Sequence, residues 1–147
     1  MRKKLTIITV LTAMIVASVL LTSSPASAAP TCYSLSCNGQ DPQSKGCSAD
    51  AGTMSNFTWD DNYFELRYSR ACNAVWVRGS NNGPRCFGGF QEVLAYSDYD
   101  LQHWVATQST QEPCYSQNWT NMESFTYWIQ FCFDDYYRGI HYCRGPF

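Results

Sequence analysis

The chain has 147 residues with ten Lys and Arg against twelve Asp and Glu, a net charge of −2. Setting aside residues 1–28, which carry the marks of an export signal, leaves seven basic against twelve acidic groups, a balance of −5. So acidic a domain, with no basic run, excludes nucleic acid and anionic membrane surfaces as natural partners. Its low charge and its five Trp, ten Tyr and eight Phe argue against disorder.

The chain opens with Arg2, Lys3 and Lys4, continues through the uncharged stretch Leu5 to Leu21, and reaches the small-residue site Ala26-Ser27-Ala28. These are the three parts of a secretory signal. Cleavage after Ala28 is expected, leaving residues 29–147 as a single secreted, extracellular, disulfide-rich domain with no membrane contact. Seventeen apolar residues interrupted by Thr6, Thr9, Thr12 and Ser18 sit at the short end of a membrane span.

All eight cysteines, Cys32, Cys37, Cys47, Cys72, Cys86, Cys114, Cys132 and Cys143, follow that site. An even number in an oxidising compartment predicts four disulfides, whose pairing the spacing leaves open. Of the gaps between cysteines, only the first, four residues between Cys32 and Cys37, comes close to the paired spacing that zinc sites favour, so neither metal nor cofactor is expected.

Beyond the cysteine-rich start, Tyr63 to Ser69 sets Phe64, Leu66 and Tyr68 against Tyr63, Glu65 and Arg67, the period of a half-buried strand. Ala74 to Arg78 forms a second strand, closed by the loop signal Gly79-Ser80-Asn81-Asn82-Gly83-Pro84. Phe90–Tyr96, Leu101–Thr107, Ser124–Phe133 and Gly139–Cys143 complete about six short strands. Two stretches also fit a helix. Thr120 to Glu123 matches a capping box, and Phe125, Trp128, Ile129 and Cys132 fall at helical spacing; residues 97–107 pose the same choice. Strands are preferred because Phe125, Tyr127, Ile129, Phe131 and Phe133 alternate, with Trp128 alone on the polar Thr126 and Gln130 face. The class expected is all-β: a small disulfide-stapled antiparallel sandwich or barrel-like sheet, with one short helix as the option at 121–133.

The blocks Cys37-Asn38-Gly39-Gln40-Asp41-Pro42, Gly46-Cys47-Ser48-Ala49-Asp50-Ala51, Glu65-Leu66-Arg67-Tyr68-Ser69 and Cys72-Asn73-Ala74-Val75-Trp76-Val77-Arg78 resemble the YjfA-like family of secreted bacterial domains of unknown function. The likeness spans residues 32–78. It implies a bacterial secreted protein and assigns no chemistry. Read physically, these blocks are scaffold, with Asn38-Gly39 and Asp41-Pro42 as turns and Glu65 with Arg67 and Arg78 as a solvated ion pair, a buried, structure-specifying pair being the alternative.

No catalytic set stands out. His103 and His141 are the sole imidazoles, each read as a polar residue on a strand. A nuclease using them with Lys45 is disfavoured by the acidic charge. Asp60, Asp61, Glu65, Glu92, Glu123, Asp134 and Asp135 are candidates for paired carboxylates in a glycosidase-like hydrolase, although nothing selects two of them. Asp60-Asp61-Asn62 and Asp134-Asp135 are expected to be solvated turns. The aromatic surplus points instead to exposed rings, and Trp59, Trp119 and Trp128 are the candidate ligand-binding residues. The first expectation is therefore a non-catalytic binding module for an envelope glycan or protein. A carboxylate hydrolase, and a secreted antagonist or toxin presenting one large apolar patch, are the alternatives.

Overall fold

A computed structural model describes residues 29–60, 62–81, 89–96, 104–108, 117–135 and 138–147; the proposed signal, His103, Asp61, Cys86 and Cys114 lie outside them. All the regular structure described is β apart from two 3-10 turns, Ser34–Cys37 and Cys47–Ala49. The strands are β1 (Gly52–Trp59), β2 (Asn62–Ser69), β3 (Ala74–Asn81), β4 (Gly89–Tyr96), β5 (Trp104–Gln108), β6 (Gln117–Trp119), β7 (Glu123–Ser124), β8 (Trp128–Asp135) and β9 (Ile140–Arg144). They form two antiparallel sheets. One runs β1-β2-β3-β6 with β7 also on β3, and the other runs β5-β4-β8-β9.

The sheets face each other as a sandwich. Phe57, Phe64, Leu66, Val75 and Val77 come from the first sheet and Ile129, Phe131 and Phe133 from the second. Each set obeys the two-residue period of a strand with one buried face. Phe64 meets Phe133 at 4.4 Å between ring centroids, and Phe57 meets Phe131 at 5.3 Å. These tilted pairs suit the quadrupoles of aromatic rings.

A second, smaller core is built on sulphur. Cys37, Cys47 and Cys72 are fully buried with Ala74, Trp76 and Met122. Cys32 bridges Cys37 and Cys47 bridges Cys72, with Cys32 Sγ and Cys47 Sγ 3.7 Å apart. This cluster joins the irregular N-terminal segment to the β2–β3 turn. Gly39, at φ +69, makes the turn that lets its N–H reach the Met122 carbonyl. Cys132 bridges Cys143 between paired positions of β8 and β9.

Several expectations shift. The sheet reading of 121–133 holds, but the strand is interrupted: the Ser124 hydroxyl lies 2.8 Å from that of Thr126 and 3.3 Å from its N–H, turning the chain before β8 begins at Trp128. β3 runs through Gly79 and Ser80 to Asn81 instead of stopping at Arg78, because β6 pairs with Arg78, Gly79 and Ser80 and draws those turn-type residues into the ladder. β1 escaped the sequence reading because it is an edge strand with Phe57 as its one buried side chain, so it lacks the alternation of a half-buried strand.

Candidate functional site

The open edges of the two sheets, β1 and β9, meet at one seam. Phe57 and Trp59 project from β1 and Tyr142 from β9. The Tyr142 ring lies edge-on to Phe57 at 4.8 Å and stacks on Trp59 at 6.4 Å with the planes 30° apart. The row continues inward through Phe131 to Phe147, whose ring centroids are 6.1 Å apart. Backbone hydrogen bonds between Phe147 and Ile129 in both directions hold the C-terminal residue beside β8.

Tyr142 and Phe147 are each 36 % exposed, so the row opens to solvent at two places. Trp59 is half-buried, and its indole N–H is enclosed with no acceptor. Two arginines strap the seam on either side of the Trp59–Tyr142 pair. Arg144 donates from Nη1 to the Asn56 carbonyl at 2.9 Å, and Arg138 forms an ion pair with Asp60.

The three tryptophans singled out in the sequence lie in different settings. Trp59 belongs to the seam. Trp128 stands on the outer face of β8, 40 % exposed, as its place on the polar face predicted. Trp119 is half-buried against the sulphur core, and its Nε1 donates to Asp41 Oδ2 at 2.8 Å. Burial opposes the charge on Asp41, but this bond and those from Ser44 and Gln43 outweigh it and hold the carboxyl below its ordinary value. Trp119 thus has a packing and anchoring role in the fold.

Among the described candidate carboxylates, Asp60 and Asp135 both reach Arg138, whereas Glu65 pairs with Arg78 and Arg67 and Glu123 stands apart from any cation. Glu65, expected in a solvated ion pair, is 7 % exposed. It sits 2.6 Å from Arg78 and 3.5 Å from Arg67 and accepts the Thr53 hydroxyl at 2.5 Å. Burial raises its proton affinity, yet Thr53, Arg78 and Arg67 together lower its pKa. The pairing moved inward because β1 and β3 flank β2 and cover that face. Asp134-Asp135 is likewise no solvated turn: both residues end β8, and Asp135 is 1 % exposed with Arg138 3.7 Å away. Glu123 is fully buried, both its carboxylate oxygens lack partners among the described residues, and burial alone pushes its pKa up to about 7. The raised pKa thus falls on Glu123, whereas the carboxylates that share a cation are Asp60 and Asp135. The Glu92 side chain lies outside the described part.

One grouping went unread in the sequence. On the outer face of β8 and β9, His141 Nδ1 is 2.6 Å from Asp134 Oδ1 and His141 Nε2 is 3.0 Å from Cys143 Sγ. The two sulphur groupings, Cys32/Cys37/Cys47/Cys72 and Cys132/His141/Cys143, are each compact enough for a metal ion. Their cysteines are joined as disulfides, and a disulfide sulphur is not the thiolate that ligates metal.

Exposed large apolar side chains are spread over several elements among the described residues: Tyr33 and Leu35 by the first 3-10 turn, Met54 on β1, Trp128 on β8, and Tyr142 and Phe147 near the C-terminus. Among those residues, no helix is long and apolar enough to cross a membrane.

A family model described as a protein of unknown function, DUF2690, matches residues 35–127. The chain belongs to the DUF2690 family. The matched segment takes in the sulphur core apart from Cys32, the first sheet and β4–β5 of the second; it supports a domain family of unknown function, and does not carry the YjfA-like name read from residues 32–78. The β8–β9 hairpin, with Tyr142, His141 and the third bridge, follows the matched part of this DUF2690 chain. No curated relative and no solved structure matches it.

Proposed function

We propose that this DUF2690 protein is a secreted, non-catalytic binding module that holds a glycan of the cell envelope on the Trp59–Tyr142 pair. Residues 1–28 act as its export signal and residues 29–147 fold as one extracellular domain. The three-part signal, the YjfA-like likeness of residues 32–78 and three disulfides in a compact β domain support secretion.

The observation that carries the binding role is the partly exposed Tyr142 ring stacked on Trp59 at a seam between sheet edges. Aromatic faces present the apolar side of a sugar ring with a low-entropy surface. Arg144 and Asn56 at the rim supply polar groups to orient hydroxyls. Trp128, on the outer face, forms a separate contact point.

The test is retention of purified protein on insoluble cell-wall material, with melting followed in parallel. Tyr142→Ala is expected to weaken retention at least tenfold, about 1.4 kcal/mol, while the variant still melts cooperatively. Trp128→Ala is expected to have a smaller effect. Equal retention of wild type and Tyr142→Ala overturns the assignment to the seam, and no retention of wild type overturns the glycan reading.

A further inference from the structure

The two faces of β9 carry different chemistry. Tyr142 turns into the seam, whereas His141 and Cys143 lie on the opposite face beside Asp134 and Cys132 of β8. We propose that Cys132–Cys143 is a redox-active disulfide that exchanges with cysteine thiols of other exported polypeptides. Cys143 is the exchanging sulphur, His141 the imidazole that stabilises its thiolate, and Asp134 the positioning residue that orients His141.

Three observations mark this bridge, of which the first, access, is shared with Cys32–Cys37 and the other two are not. The first is access: Cys132 is fully buried and Cys143 is partly exposed, so an incoming thiol meets one defined sulphur. Cys47–Cys72 is fully buried at both ends. The second is the imidazole, with Nε2 at 3.0 Å from Cys143 Sγ and the ring itself 58 % exposed. A histidine beside a cysteine stabilises the thiolate over the thiol. The third is the carboxylate. Asp134 at 2.6 Å from Nδ1 fixes which nitrogen faces the sulphur. Register explains why the group assembles: Cys132 pairs with Cys143 and Asp134 with His141, so four residues at two-residue spacing share one face of a hairpin.

The exchange balances as follows. A thiolate attacks Cys143 Sγ, the sulphur–sulphur bond breaks, and its electron pair leaves on Cys132, which takes the proton released by the attacking thiol. A second thiol then attacks the mixed disulfide at the incoming sulphur. Cys143 departs as a thiolate, paired with the imidazolium formed as His141 Nε2 takes that second proton. Two thiols become one disulfide, and the protein bridge gains two electrons. Stabilising the reduced form in this way makes a disulfide a stronger oxidant.

The test uses the intact oxidised protein in graded mixtures of reduced and oxidised glutathione, trapped by alkylation and mapped by peptide mass. Cys132–Cys143 is expected to open at least tenfold sooner along the series than Cys47–Cys72. In the reduced protein at neutral pH, iodoacetamide is expected to modify Cys143 at least tenfold faster than Cys132. His141→Gln is expected to slow Cys143 about tenfold, and Asp134→Asn to slow it by less, both with unchanged melting. Opening of Cys132–Cys143 no sooner than Cys47–Cys72, or equal Cys143 alkylation in wild type and His141→Gln, overturns the proposal.

Discussion

Glu123 is the most exacting test of the packing described. Its carboxyl is fully buried on β7 with neither oxygen partnered among the described residues, and burial alone moves its midpoint from 4.5 to about 7. Between those two values the folded protein keeps a proton that the unfolded chain has already lost, so raising the pH favours unfolding. At about 1.4 kcal/mol per pH unit, the fold weakens by about 3 kcal/mol across that window. Below pH 4.5 the group contributes no pH dependence, and above about 7 the loss is complete. Glu123→Gln keeps the shape and removes the ionisation. Urea unfolding at pH 4.5, 6, 7 and 8 is the assay, read as the difference between variant and wild type. Carboxyls shifted the other way, such as Glu65, Asp41 and Asp50, cancel in that difference. The variant is expected to gain about 3 kcal/mol on wild type by pH 8 relative to pH 4.5. Parallel curves for the two proteins refute the reasoning.

Replacing both Cys47 and Cys72 by Ser is expected to lower stability by about 3 kcal/mol in urea titration, since their bridge spans 25 residues. The shorter Cys32–Cys37 closure, spanning 5 residues, is expected to contribute less on the same assay. Glu65→Gln, which strips the charge that Arg78 and Arg67 face, is expected to destabilise by about 2 kcal/mol, measured the same way. Non-reducing mass spectrometry is expected to give a mass eight hydrogens below that of the reduced protein; free thiol at any cysteine contradicts this.

The sequence made β2, β4 and β9 legible because their residues alternate or lie between strong turn signals. It did not reveal β1, whose exposed Gly52, Thr53, Met54, Asn56 and Thr58 resemble a loop until β2 pairs with them. Gly79 and Ser80 read as turn residues by their local preferences, and pairing with Asn118 and Gln117 overrides those preferences. Glu65 illustrates the same limit: a strand pattern shows which face a carboxylate takes, whereas its burial depends on neighbours distant in the chain.

The site was half visible. Exposed aromatics follow from composition, and the polar alternation placed Trp128 outward. The seam needed Trp59 and Tyr142, 83 residues apart, to meet across two sheet edges. The Asp134–His141–Cys143 group had one local sign, the alternation of His141 and Cys143. It gains meaning once the β8–β9 register sets Asp134 against His141.

The most direct measurement of the binding role is a nuclear magnetic resonance titration of the labelled domain with soluble fragments of envelope glycan. The account predicts saturable shifts concentrated at Trp59, Tyr142, Asn56 and Arg144. Saturable shifts confined to other surfaces, or no shifts at millimolar fragment, would contradict it.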